Sequence, residues 1–413
     1  MLGQGVSGQG ERPARASLRL YYLDWLRVLA ILMVFVYHTT RLFNMEDWAV
    51  KNPVWYPWVE VWNSFATTWM LPLIFVVSGA SLFYAVGKGE GGIKGAGRFI
   101  KDKALRLLVP WLVLVLTHQS LQFYVDDLSH GQFSGSYFQY LPQYYTRNLD
   151  LYGAHLWYLW VLFLFSVLLY PLLRWLRGRG QGVLSRLGSL LALPGAVYAL
   201  ALPAILLAVL LNYDNTPKNA GWNFFVYLWL TLAGFLVVSD ERLQASIERL
   251  RWLSLPLGLG LLGLFLALLQ ILVVGRGMVP AYGTWLYALG WGIRAPASWC
   301  CILAILGFGR KHLNFSTPFL KYANEAVLPF YILHQTVILG VGYFVVQWAI
   351  PDLLKWVVVV VNSFVLIMVL YEFLVRRFNV MRFLFGMKSR PKPAVAKPQE
   401  AVPTGRPGAL PSG

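Results

Sequence analysis

The apolar run LYYLDWLRVLAILMVFVYHTTRLF near the start of the chain carries Asp24, Arg27 and His38. Arg27 and His38 are eleven residues apart. At about 100° per residue that is three turns plus about 20°, so on a helix both side chains share one stripe, about 16 Å apart along the axis. Asp24 stands three residues before Arg27 and can meet it on the same face. Ionisable groups in an apolar span are costly and mark functional sites by default. An imidazole titrates near neutral pH and is the natural general base for a hydroxyl. The same spacing also suits an Asp–Arg pair closing the helix start and a His at the membrane boundary. Further polar groups interrupt other apolar runs: Glu60, Ser78-Gly79, His118, His155, Arg294, Tyr331 and His334. Asp24, Glu60, His155, Arg294, Tyr331 and His334 are the candidates for binding a substrate. The histidines lie on separate segments without metal-ligand spacing, so no metal site is expected. The stretch GKGEGGIKGAGRFIKDKALRLLVP, with Lys103 and Arg106, interleaves glycines and cations. It suits a phosphate-bearing ligand or a basic loop against lipid headgroups.

The elements that position these groups follow from composition. Of 413 residues 58% are hydrophobic and only 13% charged, with a mean hydropathy of +0.56. That excludes a disordered chain, a disulfide scaffold and a soluble enzyme. Cys300 and Cys301 are adjacent and cannot staple distant segments. Runs long enough to span a bilayer number ten, at roughly 20–41, 59–86, 105–125, 155–176, 190–211, 222–238, 253–274, 281–308, 323–349 and 355–375. The expected fold is an all-α polytopic membrane bundle of about ten transmembrane helices. Residues 1–19 form a cytoplasmic tail before a retained anchor, 20–387 the membrane domain, and 388–413 a Pro- and Lys-rich disordered cytoplasmic tail.

Of the 35 Lys and Arg residues, 27 fall on the side of the N-terminus and 6 on the other, with Arg27 and Arg294 inside the membrane. The bias places both termini in the cytoplasm. It also accounts for the net charge of +17 without nucleic acid as a partner, leaving membrane lipids. His38, Glu60, His118 and His155 then lie toward the outer side and His334 near mid-depth. The longest outer connection, about 126–154, is rich in Tyr and Asp, which suits the membrane interface or carbohydrate stacking.

LDWLRVLAILMVFVYH resembles the opening helix of the acyltransferase-3 family of integral membrane acyltransferases, in which an Arg or Lys is followed after ten residues by His. FVVSGASLF is similar to the family's Ser-Gly helix. KALRLLVP resembles its basic-x-x-Arg stretch, with Lys103 where Arg is more usual and Arg106 retained. HLWYLWVL and NEAVLPFYILHQTVI resemble two further family segments. VLYEFLVRRFNVMRFLFG looks like the glucan-modifying OpgC/MdoC branch. The resemblance covers about residues 20–387. It implies transfer of an acyl group from an acyl-CoA co-substrate to a hydroxyl of a glycan or other sugar-containing acceptor, at the outer side of a bacterial cytoplasmic membrane. For this branch the implied reaction is succinyl transfer to a periplasmic glucan. No permanently bound cofactor is expected. His38 would be the base, Arg27 would hold the pantetheine arm or orient the thioester, and Lys103 and Arg106 would meet the CoA phosphates. Glu60, His155 and His334 would orient His38 or bind the acceptor. From the residues without the resemblance, a transporter or flippase of a polar or lipid-linked substrate fits equally well.

Overall fold

The computed structural model describes residues 20–87, 92–212 and 221–390. The expected tail 1–19, nearly all of the expected tail 388–413, and Lys88 and Lys218 lie outside the described residues. The described chain is all-helical. Seven helices are long and apolar enough to cross a membrane. They are α1 (Tyr21–Thr40), α2 (Pro57–Gly87), α7 (Trp157–Leu176), α11 (Glu241–Leu269), α12 (Trp285–His312), α13 (Pro318–Val345) and α14 (Asp352–Leu370). The other helices are α3 (Gly92–Lys103), α4 (Val109–Leu116), α5 (His118–Ser129), α6 (Tyr137–Gln143), α8 (Gln181–Leu191), α9 (Ala201–Leu211), α10 (Phe224–Ser239) and the short α15 (Asn379–Leu384).

Three of the ten expected spans are not single long helices. The third, 105–125, is broken. Pro110 has no N–H to give the Arg106 carbonyl, and the preceding turn, Ala104–Leu108, widens to π-helix. The chain breaks again at Thr117 (φ −124°, ψ −65°), whose hydroxyl turns back to the Val113 carbonyl at 2.7 Å. The fifth is the pair α8 and α9, bent by 117° at Pro194-Gly195, where Gly195 has φ +77°. Counted as one span, it makes eight. The sixth is α10, 16 residues and so about 24 Å long, short of a hydrocarbon core of about 30 Å.

α10 is held by two glycines. A Cβ on Gly79 of α2 would lie 1.8 Å from the Thr231 carbonyl oxygen of α10, and one on Gly234 of α10 would lie 1.9 Å from the Val76 carbonyl oxygen. Small residues let the two backbones touch, the usual means of helix association in lipid. α1 packs against α2, α12, α13 and α14, at the centre of the bundle. α11 and α14 are peripheral: only 11% and 22% of their most apolar windows are buried. Proline inside α2, α7, α11, α12 and α13 is tolerated where neighbouring helices satisfy the freed carbonyls.

Candidate active site

Two polar clusters share α1. At its C-terminal end, three histidines from three helices converge. The His38 ring centroid lies 4.8 Å from that of His334 on α13 and 6.5 Å from that of His155, which enters α7. His155 and His334 are 4.9 Å apart. His155 and His334 are buried, 8% and 1% exposed; His38 is half-buried. Among the described residues no three His, Cys, Asp or Glu side chains are placed to hold a metal ion.

Backbone carbonyls decide the tautomers, because a carbonyl only accepts. His334 Nδ1 faces the Tyr331 carbonyl and must carry the proton. Its Nε2 is then a lone pair, 3.2 Å from His38 Nδ1. His38 Nδ1 also lies 2.8 Å from the Val34 carbonyl one turn back, so it donates. His38 Nε2 is therefore the unprotonated nitrogen. Its ring is oriented from one side by its own helix and from the other by α13, the arrangement an activated base needs.

Tyr331 is buried beside this trio, and its hydroxyl donates to the His155 carbonyl. It thus ties α13 to the start of α7. Ser78 Oγ is 2.6 Å from the Tyr158 hydroxyl, and the Tyr158 ring packs on Tyr331 at 5.8 Å. The Ser-Gly pair of α2 therefore does two things. Gly79 admits α10, and Ser78 holds the hydroxyl of Tyr158, whose ring packs on Tyr331 beside the histidines. Glu60 accepts from the Met45 N–H and so holds the connection between α1 and α2. That connection carries Trp48, whose ring lies 6.1 Å from His38 and 5.6 Å from the Arg41 guanidinium. Lys51 fastens the same loop to the Arg41 and Asn44 carbonyls. Burial and the Arg41 charge push its ammonium down to about 8.

At the other end of α1, Arg27 donates to Ser81 Oγ at 2.6 Å, Asn324 Oδ1 at 3.2 Å and Asp24 Oδ1 at 3.4 Å. It bridges α1, α2 and α13. Its charge acts on both Lys103 and Arg106, and Lys103 is pushed down to about 8 by burial, then Arg106, then Arg27. Three cations thus gather at one end, with Arg106 exposed on its π-turn. Gly386 (φ +68°) backs against that turn, where a Cβ would stand 2.5 Å from the Arg106 carbonyl oxygen. The chain around α15 is fixed there by the 2.8 Å ion pair of Arg382 with Glu325.

The expected candidates therefore divide. His38, His155, Tyr331 and His334 come together, with Glu60 on the neighbouring loop. His334 meets His38 directly instead of lying deeper. Arg27, Asp24, Lys103 and Arg106 form the second group. Arg294 sits apart, over the rings of Trp222 at 4.7 Å, Trp291 at 5.1 Å and Phe265 at 5.5 Å. His118 packs on Phe385. Sequence reasoning missed Trp48, Tyr158 and Ser81. Tyr158 is i+3 from His155 and Ser81 is i+3 from Ser78, so helical spacing could have found both. Trp48 sits in a loop with no period to betray it. An apolar cavity of about 510 Å³ lies elsewhere, between α1, α2, α11 and α12, lined by Leu26, Trp69, Leu259 and Phe308 among others.

The family model for an acyltransferase domain of the acyltransferase-3 type matches residues 20–372. Glucans biosynthesis protein C of Salmonella paratyphi A is 22% identical over 386 residues, covering 90% of this chain and 95% of the relative. The proteins of the same name from Salmonella agona and Salmonella heidelberg match to the same extent. No solved structure matches. Apolar helices in this number make the chain a multi-pass integral membrane protein, and it belongs to the acyltransferase-3 family, with a distant relationship to glucans biosynthesis protein C.

Proposed function

We propose that this chain moves an acyl group from acyl-CoA to a hydroxyl of a glycan or other sugar-containing acceptor, succinyl to a periplasmic-type glucan being the specific case. One observation carries the chemistry. His38 Nε2 is left as a lone pair on a ring whose Nδ1–H is held by Val34 and His334. His38 Nε2 takes the proton of the acceptor hydroxyl as its oxygen attacks the thioester carbonyl carbon. The C–S bond breaks, an ester forms, and the proton passes from His38 to the thiolate, which leaves as CoA. Lys103 and Arg106 hold the donor phosphates, and Arg27 holds the pantetheine arm, which runs along α1 toward His38. The name of these relatives, glucans biosynthesis protein C, supports a glucan acceptor. The Lys/Arg bias supports cytoplasmic termini, with donor entering from the cytoplasm, acceptor from outside, in a bacterial cytoplasmic membrane.

The test is thiol release by the detergent-purified protein, given acetyl- or succinyl-CoA and a glucan oligosaccharide, beside His38→Ala. Release by the native protein that the variant loses supports the reading. Release that persists in the variant removes His38 as the base. No release from any donor, with unmodified substrate crossing reconstituted vesicles, replaces the enzyme by a transporter.

A further inference from the structure

His155 carries a nitrogen that the fold leaves over. Its Nε2 lies 3.2 Å from the Ile332 carbonyl and therefore bears the proton. Its Nδ1 is then a lone pair. That atom is buried and has no hydrogen-bond partner among the described residues, in a residue only 8% exposed. A buried acceptor without a partner is costly, and a native structure that keeps one needs a reason. The neighbours cannot supply a donor from the trio: His334 spends its only N–H on Tyr331, and His38 points its N–H at Val34 and His334. The backbone is bent to bring His155 there. Gly153 has φ +84° and Ala154, the one non-glycine residue with positive φ among those described, has φ +44°. A left-handed alanine is strained, and such strain persists where the surroundings impose it.

We propose that His155 Nδ1 is a docking point for substrate: it accepts a hydrogen bond from an O–H or N–H of the molecule held against His38. The inference rests on the acyl-transfer reading and deepens it. The donor is either a hydroxyl of the sugar acceptor or an amide N–H of the pantetheine arm. Two lone pairs, on rings whose centroids lie 6.5 Å apart, then serve one substrate. His38 Nε2 removes a proton, and His155 Nδ1 fixes orientation, so His155 acts in binding more than in turnover.

Two substitutions separate this role from a structural one. His155→Asn keeps an acceptor at the Nδ1 position and loses the donor to Ile332. His155→Gln keeps a donor near the Nε2 position and loses the Nδ1 acceptor. With succinyl-CoA and a linear β-glucan oligosaccharide as probes, the Gln protein should show a KM about tenfold above that of the Asn protein for one substrate, with a smaller change in kcat. A rise confined to the oligosaccharide assigns the bond to the sugar hydroxyl. A rise confined to succinyl-CoA assigns it to the donor amide. The reverse order, Asn worse than Gln, or equal losses in both, overturns the proposal and leaves His155 a strut for Ile332. Ligand-induced thermal stabilisation reads the same bond without turnover. If the native protein releases no thiol, the acyl-transfer reading fails on its own, and docking is still decided by stabilisation. Stabilisation by either probe that Asn retains and Gln loses supports the proposal. Equal stabilisation of all three proteins, or none in the native protein, overturns it.

Discussion

The two ends of α1 solve opposite problems with the same helix. At the His38 end, three rings of one residue type stand within 6.5 Å of each other, each tied to a main-chain carbonyl. At the Arg27 end, three cations stand together with Asp24 as the nearby acid. The first arrangement sets which nitrogen holds a proton. The second concentrates positive charge where an anion can offset it. An imidazole and a cation on one rigid helix, about 16 Å apart, match the two ends of the proposed donor, its phosphates at one and its reactive carbon at the other.

The comparison breaks hardest at His38. His38→Ala should lower thiol release by about 10²- to 10⁴-fold, the usual contribution of a general base, with little change in donor KM; an equal loss of donor binding would merge the two ends into one site. His334→Phe should come next. It keeps an aromatic ring, slightly larger than imidazole, removes the Nε2 acceptor, and should lower kcat by about tenfold or more while leaving donor KM in place. The cationic end should answer in the opposite parameter. Arg106→Gln should raise the KM for succinyl-CoA by about tenfold, from loss of one charge-assisted contact, and salt should weaken donor binding in the native protein.

Lys103 sharpens the contrast through pH. Its ammonium is pushed down to about 8 by burial and by its cationic neighbours. Below that pH it is charged and attracts phosphate; above it the charge is lost. Donor KM should therefore rise as pH passes upward through about 8, and Lys103→Arg should flatten that rise, because a guanidinium stays charged. A rise that survives the substitution places the titrating group elsewhere. The smallest expected effect on chemistry comes from Gly79→Ala. Its added methyl meets the α10 backbone and must separate the helices, costing about 1–3 kcal/mol of stability, read as a lower melting temperature with donor KM unchanged.

Much of this was legible in the chain. Seven of the ten expected spans are single long helices because a bilayer imposes one length and one composition on each. The stripe joining Arg27 to His38 follows from helical arithmetic alone. The broken third segment and the bent fifth were hidden, since hydropathy averages over a window and does not register Pro110 or Pro194-Gly195.

Sequence alone settled that the chain is a membrane bundle, that α1 carries both a cation and an imidazole, and which family it resembles, because composition, period and motif are local properties. Tertiary structure alone decided that His155 and His334, more than a hundred residues from His38, stand against it. It also decided that Arg294 belongs to an aromatic nest, and that His155 Nδ1 has no hydrogen-bond partner among the described residues. Those facts depend on which helices pack together and on which carbonyl each ring meets, and neither is written in the spacing along one segment.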